Sequence, residues 1–284
     1  VRFYNRALTA QEVLQLYEQG TAANVVNAPV ETPDLNRGLV GYWTFDGPRL
    51  IQNATDSSGQ GNNGTLPNGP VRAGGRIGQA LDFDGVNDVV DAGSGASLDA
   101  LTTFTTAAWI KPDTLGAGNN GIIFDKGANP SSLKRGVIRN SPASSMGFAV
   151  QRATTNADAT SVANTLELDV WQFYVYTYSE SDGPRIYKNG VEVSYEPNSR
   201  TVGEGATGND SAENFGIGND VSAPTTQAFD GLIDDVRVYN RVLSSDEIKR
   251  LYRIGATMKI NKPSYTGLDS GLVGYWSFDG PDMA

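Results

Sequence analysis

Two stretches of this chain occur twice, and their spacing fixes where a domain can begin and end. VRFYNRALTAQEVLQLYEQG, Val1–Gly20, returns as VRVYNRVLSSDEIKRLYRIG at Val236–Gly255, identical at ten of twenty positions without a gap. GLVGYWTFDGP, Gly38–Pro48, returns as GLVGYWSFDGP at Gly271–Pro281 with one difference. The offsets are 235 and 233 residues, so both echoes belong to one repeat, and a repeat decides what counts as a domain. The spacing predicts residues 1–20 as the last strand and helix of a preceding repeat and 21–37 as a linker. Residues 38–257 are then one complete domain, 258–270 a second linker, and 271–284 the first strand of a following repeat.

Inside 38–257 the apolar residues come in short alternating runs separated by Gly, Asn, Asp, Ser and Pro, the pattern of strands and turns. We read strands near 39–46, 64–66, 78–84, 87–91, 103–111, 121–125, 146–153, 171–179, 184–188, 191–194, 214–218 and 229–239. Asn189-Gly190 tolerates the left-handed geometry of a tight hairpin. In WQFYVYTYSE, Trp171, Phe173 and Val175 share one face of a strand while Tyr174, Tyr176 and Tyr178 share the other. Near the end, Ser244 and Glu247 form a capping box, with Ile248, Leu251 and Tyr252 on one helical face and Gly255 as a stop. Many short strands and one C-terminal helix predict an all-β fold, a two-sheet antiparallel jelly-roll sandwich.

Composition removes several chemistries. The 284 residues include no histidine and no cysteine. This excludes a Ser-His-Asp triad, a Cys-His pair, an imidazole or thiolate metal site and any disulfide. The formal charge is −10, the wrong sign for tracking phosphates, so nucleic acid is not an expected partner. Hard cations held by oxygen suit the carboxylate excess. No apolar run reaches membrane-span length.

The strings GLVGYWTFD, DSSGQGNNGTL, GQALDFDGVNDVVD, TTFTTAAWIKP, WQFYVYTYSESDGPRIYKNGVEV and FDGLIDDVRVYNRVLSSDEI occur in this order. Together they resemble laminin-G-like domains of the concanavalin-A-like lectin/glucanase superfamily, in tandem repeat. The resemblance covers nearly all of 38–257 and accounts for both end fragments; the histidine that often follows the tryptophan of WQFYVYTY in the family is missing. It implies that the first and last strands pair antiparallel, which brings Asp46 near Asp234. The repeated ends lead us to expect neighbouring repeats as partners, with head-to-tail assembly, in an extracellular or cell-surface setting with a glycan or cell-surface ligand.

Three constellations are candidates for chemistry. DSSGQGNNG, Asp56–Gly64, combines side-chain oxygens with glycines that let carbonyls converge, as a calcium site needs. Asp234 shares the parity of Val236 and Val238, which points it inward, where a carboxylate needs a partner. The expected calcium ligands are Asp56, Asn62, Asp234 and Asp46; the competing reading of the loop is a polar turn closed on itself. The stripe Tyr174, Tyr176 and Tyr178 suits stacking on sugar rings, against the plainer reading of a strand buried on both faces. Loops 115–120 and 203–214 have compositions that fit a binding site or plain turns alike. A glucanase would carry acids at alternate strand positions, and Glu167 and Asp169 are the nearest approach. They precede the tryptophan strand as a loop would, so no catalytic residues are expected. The leading expectation is a non-catalytic structural or adhesive module of a microbial surface stalk or filament, stabilised by calcium. The alternative is a carbohydrate-binding module of a polysaccharide-active enzyme.

Overall fold

The computed structural model describes residues 2–4, 33–46, 53–127, 133–141, 143–257 and 272–275. The chain divides into two compact units, one of Asp34–Gly255 and one of Val1–Pro33 with Ala256–Ala284. The expected first-copy helix and the body of both linkers lie outside the described residues.

Chain order gives β1 (Arg2–Tyr4), α1 (Pro33–Asn36), β2 (Leu39–Trp43), β3 (Asn53–Ala54), β4 (Gly64–Thr65), β5 (Val71–Gly74), β6 (Gln79–Asp84) and β7 (Val90–Asp91). The long β8 (Thr103–Pro112) follows, then β9 (Ile122–Lys126), β10 (Lys134–Arg139), β11 (Ser145–Val150) and β12 (Ala157–Thr160). The remainder is β13 (Gln172–Ser179), β14 (Gly183–Lys188), β15 (Val191–Glu192), β16 (Phe215–Ile217), β17 (Asp230–Tyr239), α2 (Ser245–Thr257) and β18 (Leu272–Tyr275). One sheet runs β15-β14-β13-β8-β17-β6-β5, and the other β12-β11-β10-β9-β16-β7-β4-β3. All pairings are antiparallel.

β17 is the spine of its sheet. One edge pairs with β8 along most of its length; the other takes β6 over Asp230–Ile233 and β2 over Val236–Tyr239. First and last strands of the unit therefore lie side by side, as the resemblance implied. Apart from a single bridge between Trp43 and Asp56, β2 pairs with β17 alone among the described residues.

The inner faces of the sheets meet in an aromatic core. Trp43 is fully buried and stacks on Phe215 at 5.7 Å, while Tyr176 meets Phe124 at 5.2 Å and Phe148 at 5.4 Å, edge to face. Outside the β17 sheet, α2 covers Trp109, which stacks on Tyr252 at 5.7 Å. Gly255 makes that approach possible, since a Cβ there would run into the Trp109 indole. The capping box forms: the Ser244 amide donates to Glu247 Oε2 at 2.8 Å, and the Glu247 amide donates to Ser244 Oγ at 3.3 Å. The helix then continues past the expected stop to Thr257.

In the other unit, β1 and β18 form a two-stranded ribbon. Its register is Arg2 opposite Tyr275, Phe3 opposite Gly274 and Tyr4 opposite Leu272, with a shift between Phe3 and Tyr4. In the sandwich, Arg237 lies opposite Tyr42, Val238 opposite Gly41 and Tyr239 opposite Leu39, with a shift between Val238 and Tyr239. The ribbon repeats the β17–β2 pairing position for position, irregularity included.

Candidate functional site

The β17 strand carries a bulge. Asp234 lies opposite Trp109 and Arg237 opposite Ala107, so two β17 residues face one residue of β8, and Asp235 takes φ 53°. The bulge overturns the parity expected from sequence. Ile233 and Val236 both face the core, and Asp234 shares the outer face with Trp109, whose ring meets α2. Asp234 is nonetheless completely buried, because the turn between β5 and β6 closes over it. Its Oδ2 accepts the Ile77 amide at 2.8 Å and also the Arg76 amide, whereas Oδ1 has no partner. Burial, then the charges of Asp235 and Asp46, push this carboxyl up to about 8 despite the two backbone donors.

Asp46 reaches the same turn. The Gln79 amide donates to its Oδ1 at 2.8 Å, and burial raises its carboxyl above the usual range. A Cβ at Gly75 would meet Asp234 Oδ2, and a Cβ at Gly78, where φ is 64°, would overlap Asp46 Oδ1. The Gln79 side-chain oxygen is buried without a partner as well. Asp234 Oδ1 is thus an orphaned buried acceptor at the Gly75–Gln79 turn that also receives Asp46, oxygen chemistry of the kind that a hard cation satisfies. Sequence reasoning found Asp46 and Asp234 but missed the two glycines, Gly75 and Gly78, that admit the carboxylates.

Asp56 and Asn62 do something else. Asp56 Oδ1 accepts the amides of Tyr42 and Ser58 at 3.0 and 2.8 Å. Its Oδ2 accepts the Asn62 amide and the Ser58 hydroxyl, both at 2.9 Å. Asn62 donates to the Val40 carbonyl at 2.7 Å and to Ser97 Oγ at 2.9 Å, and its own carbonyl accepts the Trp43 indole N–H at 2.9 Å. The loop is closed on itself and clamped to β2, the polar-turn reading. Among the described residues no three acidic side chains converge as a metal cluster, so the expected foursome is two separate pairs.

The tyrosine stripe faces the core. Tyr174, Tyr176 and Tyr178 are each 0% exposed, which corrects the reading of a sugar-stacking surface. Tyr174 donates to the Thr165 carbonyl at 3.0 Å, and the Tyr178 hydroxyl lies 3.1 Å from Thr207 Oγ1. Glu167 is engaged with Lys188 at 2.7 Å in the loop before β13, where Asp169 also lies.

A polar pocket opens instead on the outer face of the β9 sheet. It encloses about 270 Å³ between Asp125 of β9 and the loops flanking β16, which contribute Glu213, Asn214, Asp220, Val221 and Ser222. Arg135 of β10 braces it, donating to Asp125 Oδ1 at 2.7 Å, Asp220 Oδ2 at 2.9 Å and Gln227 Oε1 at 2.5 Å. Burial pushes the Asp125 carboxyl up to about 7, outweighing its hydrogen bond from Arg135. Loop 203–214 supplies part of this wall. Asp125 was hidden in IIFDK, which reads as a plain core strand.

The model of a family described as concanavalin A-like lectin/glucanases superfamily, laminin-G type, matches residues 54–249. The chain belongs to this superfamily. Solved structures similar to this laminin-G-type chain include the binding domain of Paraclostridial Mosquitocidal Protein 1, at 14% identity and TM-score 0.54 over 77% of this chain and 52% of that one. Trypanosoma rangeli sialidase in complex with sialic acid matches at 21% identity and TM-score 0.56, over 78% of this chain. The receptor binding domain of botulinum neurotoxin mosaic serotype C/D matches at 15% and 0.54, over 77%. The chain spans about half of the toxin domains, at 52% and 51%, and a third of the sialidase, at 33%. At these identities the likeness is one of fold. Among the described residues no helix is long and apolar enough to cross a membrane.

Proposed function

We propose that this chain is a non-catalytic extracellular module of a tandem laminin-G-like array on a microbial surface, with a structural or adhesive role. The observation that carries the reading is the β1–β18 ribbon, whose register and irregularity duplicate the β17–β2 seam of the sandwich. The shared register supports reading each of the two segments as part of a further copy of the domain. Sequencing the parent polypeptide tests this: further copies are expected on both sides, and an adjoining catalytic domain with no further copies overturns it.

Calcium is the ion this reading assigns to the Asp46–Asp234 rim. Asp46 and Asp234 supply hard oxygen donors, and a divalent cation would relieve the orphaned Asp234 Oδ1. Asp56 does not fit as a ligand, because four donors already occupy its oxygens. Bound there, the ion would tie the end of β2 to β17 and so stiffen the seam between first and last strands.

The second reading, carbohydrate recognition, is favoured by the Asp125–Asp220 pocket. Its carboxylates and amide suit vicinal hydroxyls, and Val221 offers an apolar contact. A glycan array probed with the wild-type chain and with Glu213→Ala is the test; equal binding by both, or none by either, removes the pocket from consideration.

A further inference from the structure

We propose that β18 of one copy of this chain occupies the β2 position of a second copy, so that the protein self-associates head to tail by strand exchange. The inference goes beyond the array reading, since it concerns what separate molecules do to one another.

The β2 slot makes specific demands. Position 41 must be glycine, because a Cβ there would lie 2.6 Å from the Trp43 ring. Trp43 must fill the core against Phe215, and Phe45, at φ 57° and 2% exposed, must follow it inward. Tyr42 must reach Asp235, and Asp46 must receive the Gln79 amide. Segment 271–281 offers the same residue types in the same order: Gly274, Tyr275, Trp276, Phe278 and Asp279. Its one difference is Ser277 in place of Thr44, and Thr44 contributes only its Oγ1, which accepts the Asp46 amide at 3.2 Å. A serine keeps that acceptor.

The backbone tells the same story. β18 is already a strand and already reads a copy of the β17 sequence, Arg2–Tyr4, in the register that β2 uses on Arg237–Tyr239. Nothing in that register distinguishes β1 from the matching stretch of β17. The β17 slot is the richer of the two, since it offers a core for the tryptophan and phenylalanine as well as backbone partners. β2 is the first strand of its sheet in chain order, and its ladder is to β17 alone, so that one seam decides which copy of the strand is seated. Because segment 271–281 differs from 38–48 at one position, the exchange remakes the contacts of the slot at the expense of the β1–β18 ribbon, and its yield depends on concentration. The added strand pairs by main chain and selects by side chain, the usual logic of strand addition.

Two measurements test the proposal on the full chain. The first compares the wild type with Tyr275→Pro after unfolding and refolding at high concentration, by analytical ultracentrifugation. Proline removes an amide from β18, and position 275 lies outside the Asp34–Gly255 unit, so the sandwich should fold unchanged. Dimers and larger species are expected from the wild type, at least tenfold fewer from the variant; equal, monomeric profiles overturn exchange. The second uses the absence of cysteine. Chains carrying Arg237→Cys and Tyr275→Cys are mixed, refolded together and oxidised, with an Arg2→Cys and Tyr275→Cys mixture in parallel. A cross-linked heterodimer through 237 and 275 supports the proposal. Cross-linking through 2 and 275 alone shows that β18 pairs only with β1 and overturns it. Should Arg237→Cys fail to fold, a fluorescent peptide of residues 271–281 refolded with the wild-type chain replaces this arm: incorporation supports exchange, and its absence overturns it.

Discussion

The Tyr42 hydroxyl donates to Asp235 Oδ1 at 2.6 Å, joining the first strand of the sandwich to the bulge in the last. Arg237 completes the link: it donates to the Tyr42 hydroxyl at 2.8 Å and to Asp235 Oδ2 at 3.0 Å, with its guanidinium 4.2 Å from the Tyr42 ring centre. Tyr42→Phe keeps the ring and removes the donor. It should cost about 1–3 kcal/mol, the penalty for leaving a buried acceptor short of a partner. Arg237→Met should cost more, about 3–5 kcal/mol, because it strands the Asp235 charge. Urea denaturation with an unchanged m-value checks both; equal stability of the two variants would mean that the trio acts as something other than a charge-centred link.

Calcium should bind the chelated protein at the Asp46–Asp234 rim, giving heat in a calorimetric titration and a higher melting temperature. Asp234→Asn should abolish both effects. Asp56→Asn should leave the titration intact while lowering stability by about 1–3 kcal/mol, since it weakens the clamp on β2 without touching the rim. Gly78→Ala should behave like Asp234→Asn, because its Cβ would displace the Asp46 carboxylate. A titration without heat or thermal shift would remove calcium from this site.

What the sequence revealed divides along physical lines. The sandwich, the Asn-Gly hairpin, the capping box and the pairing of first with last strand follow from alternation, local turn chemistry and the family resemblance, and the structure contains them all. Strands β5, β10 and β12 escaped because their outward faces carry Arg72, Arg135, Arg139 and Asp158 among small residues, which dilutes the apolar alternation. Asp234 was located but assigned to the wrong side, since one residue at positive φ, Asp235, flips the parity of everything before it. The Asp125 pocket is assembled from strands and loops some ninety residues apart, with Arg135 and Asp220 joined across 85 positions. No local pattern encodes that.

The tyrosine stripe offers a prediction in which neighbours behave differently. Tyr176 has a buried hydroxyl with no partner, whereas the Tyr174 hydroxyl donates to the Thr165 carbonyl. Tyr176→Phe should therefore be neutral or stabilising, and Tyr174→Phe should cost about 1 kcal/mol. Neither should alter binding of any glycan, because both rings are sealed between the sheets. Thermal denaturation separates the two; a substantial loss in Tyr176→Phe would reveal a bond that the core geometry does not contain.

The capping box should contribute to acid sensitivity. Arg241 donates to Glu247 Oε1 at 2.7 Å and Oε2 at 3.0 Å, and the Ser244 amide and hydroxyl add two further bonds to Oε2. Chiefly the Arg241 hydrogen bonds, then those from Ser244, hold the carboxyl down to about 2. An unfolded glutamate titrates near about 4.3. The folded value is the lower one, so the contribution is fully present above about 4.3 and disappears as pH falls through about 2. Glu247→Gln should lower stability at neutral pH by about 1 kcal/mol, the scale of a lost cap. It should also flatten the stability profile between pH 4.3 and 2, so that wild type and variant converge in acid. Parallel urea titrations across that window check the sign; a difference that grows as pH falls would place the effect on another carboxylate.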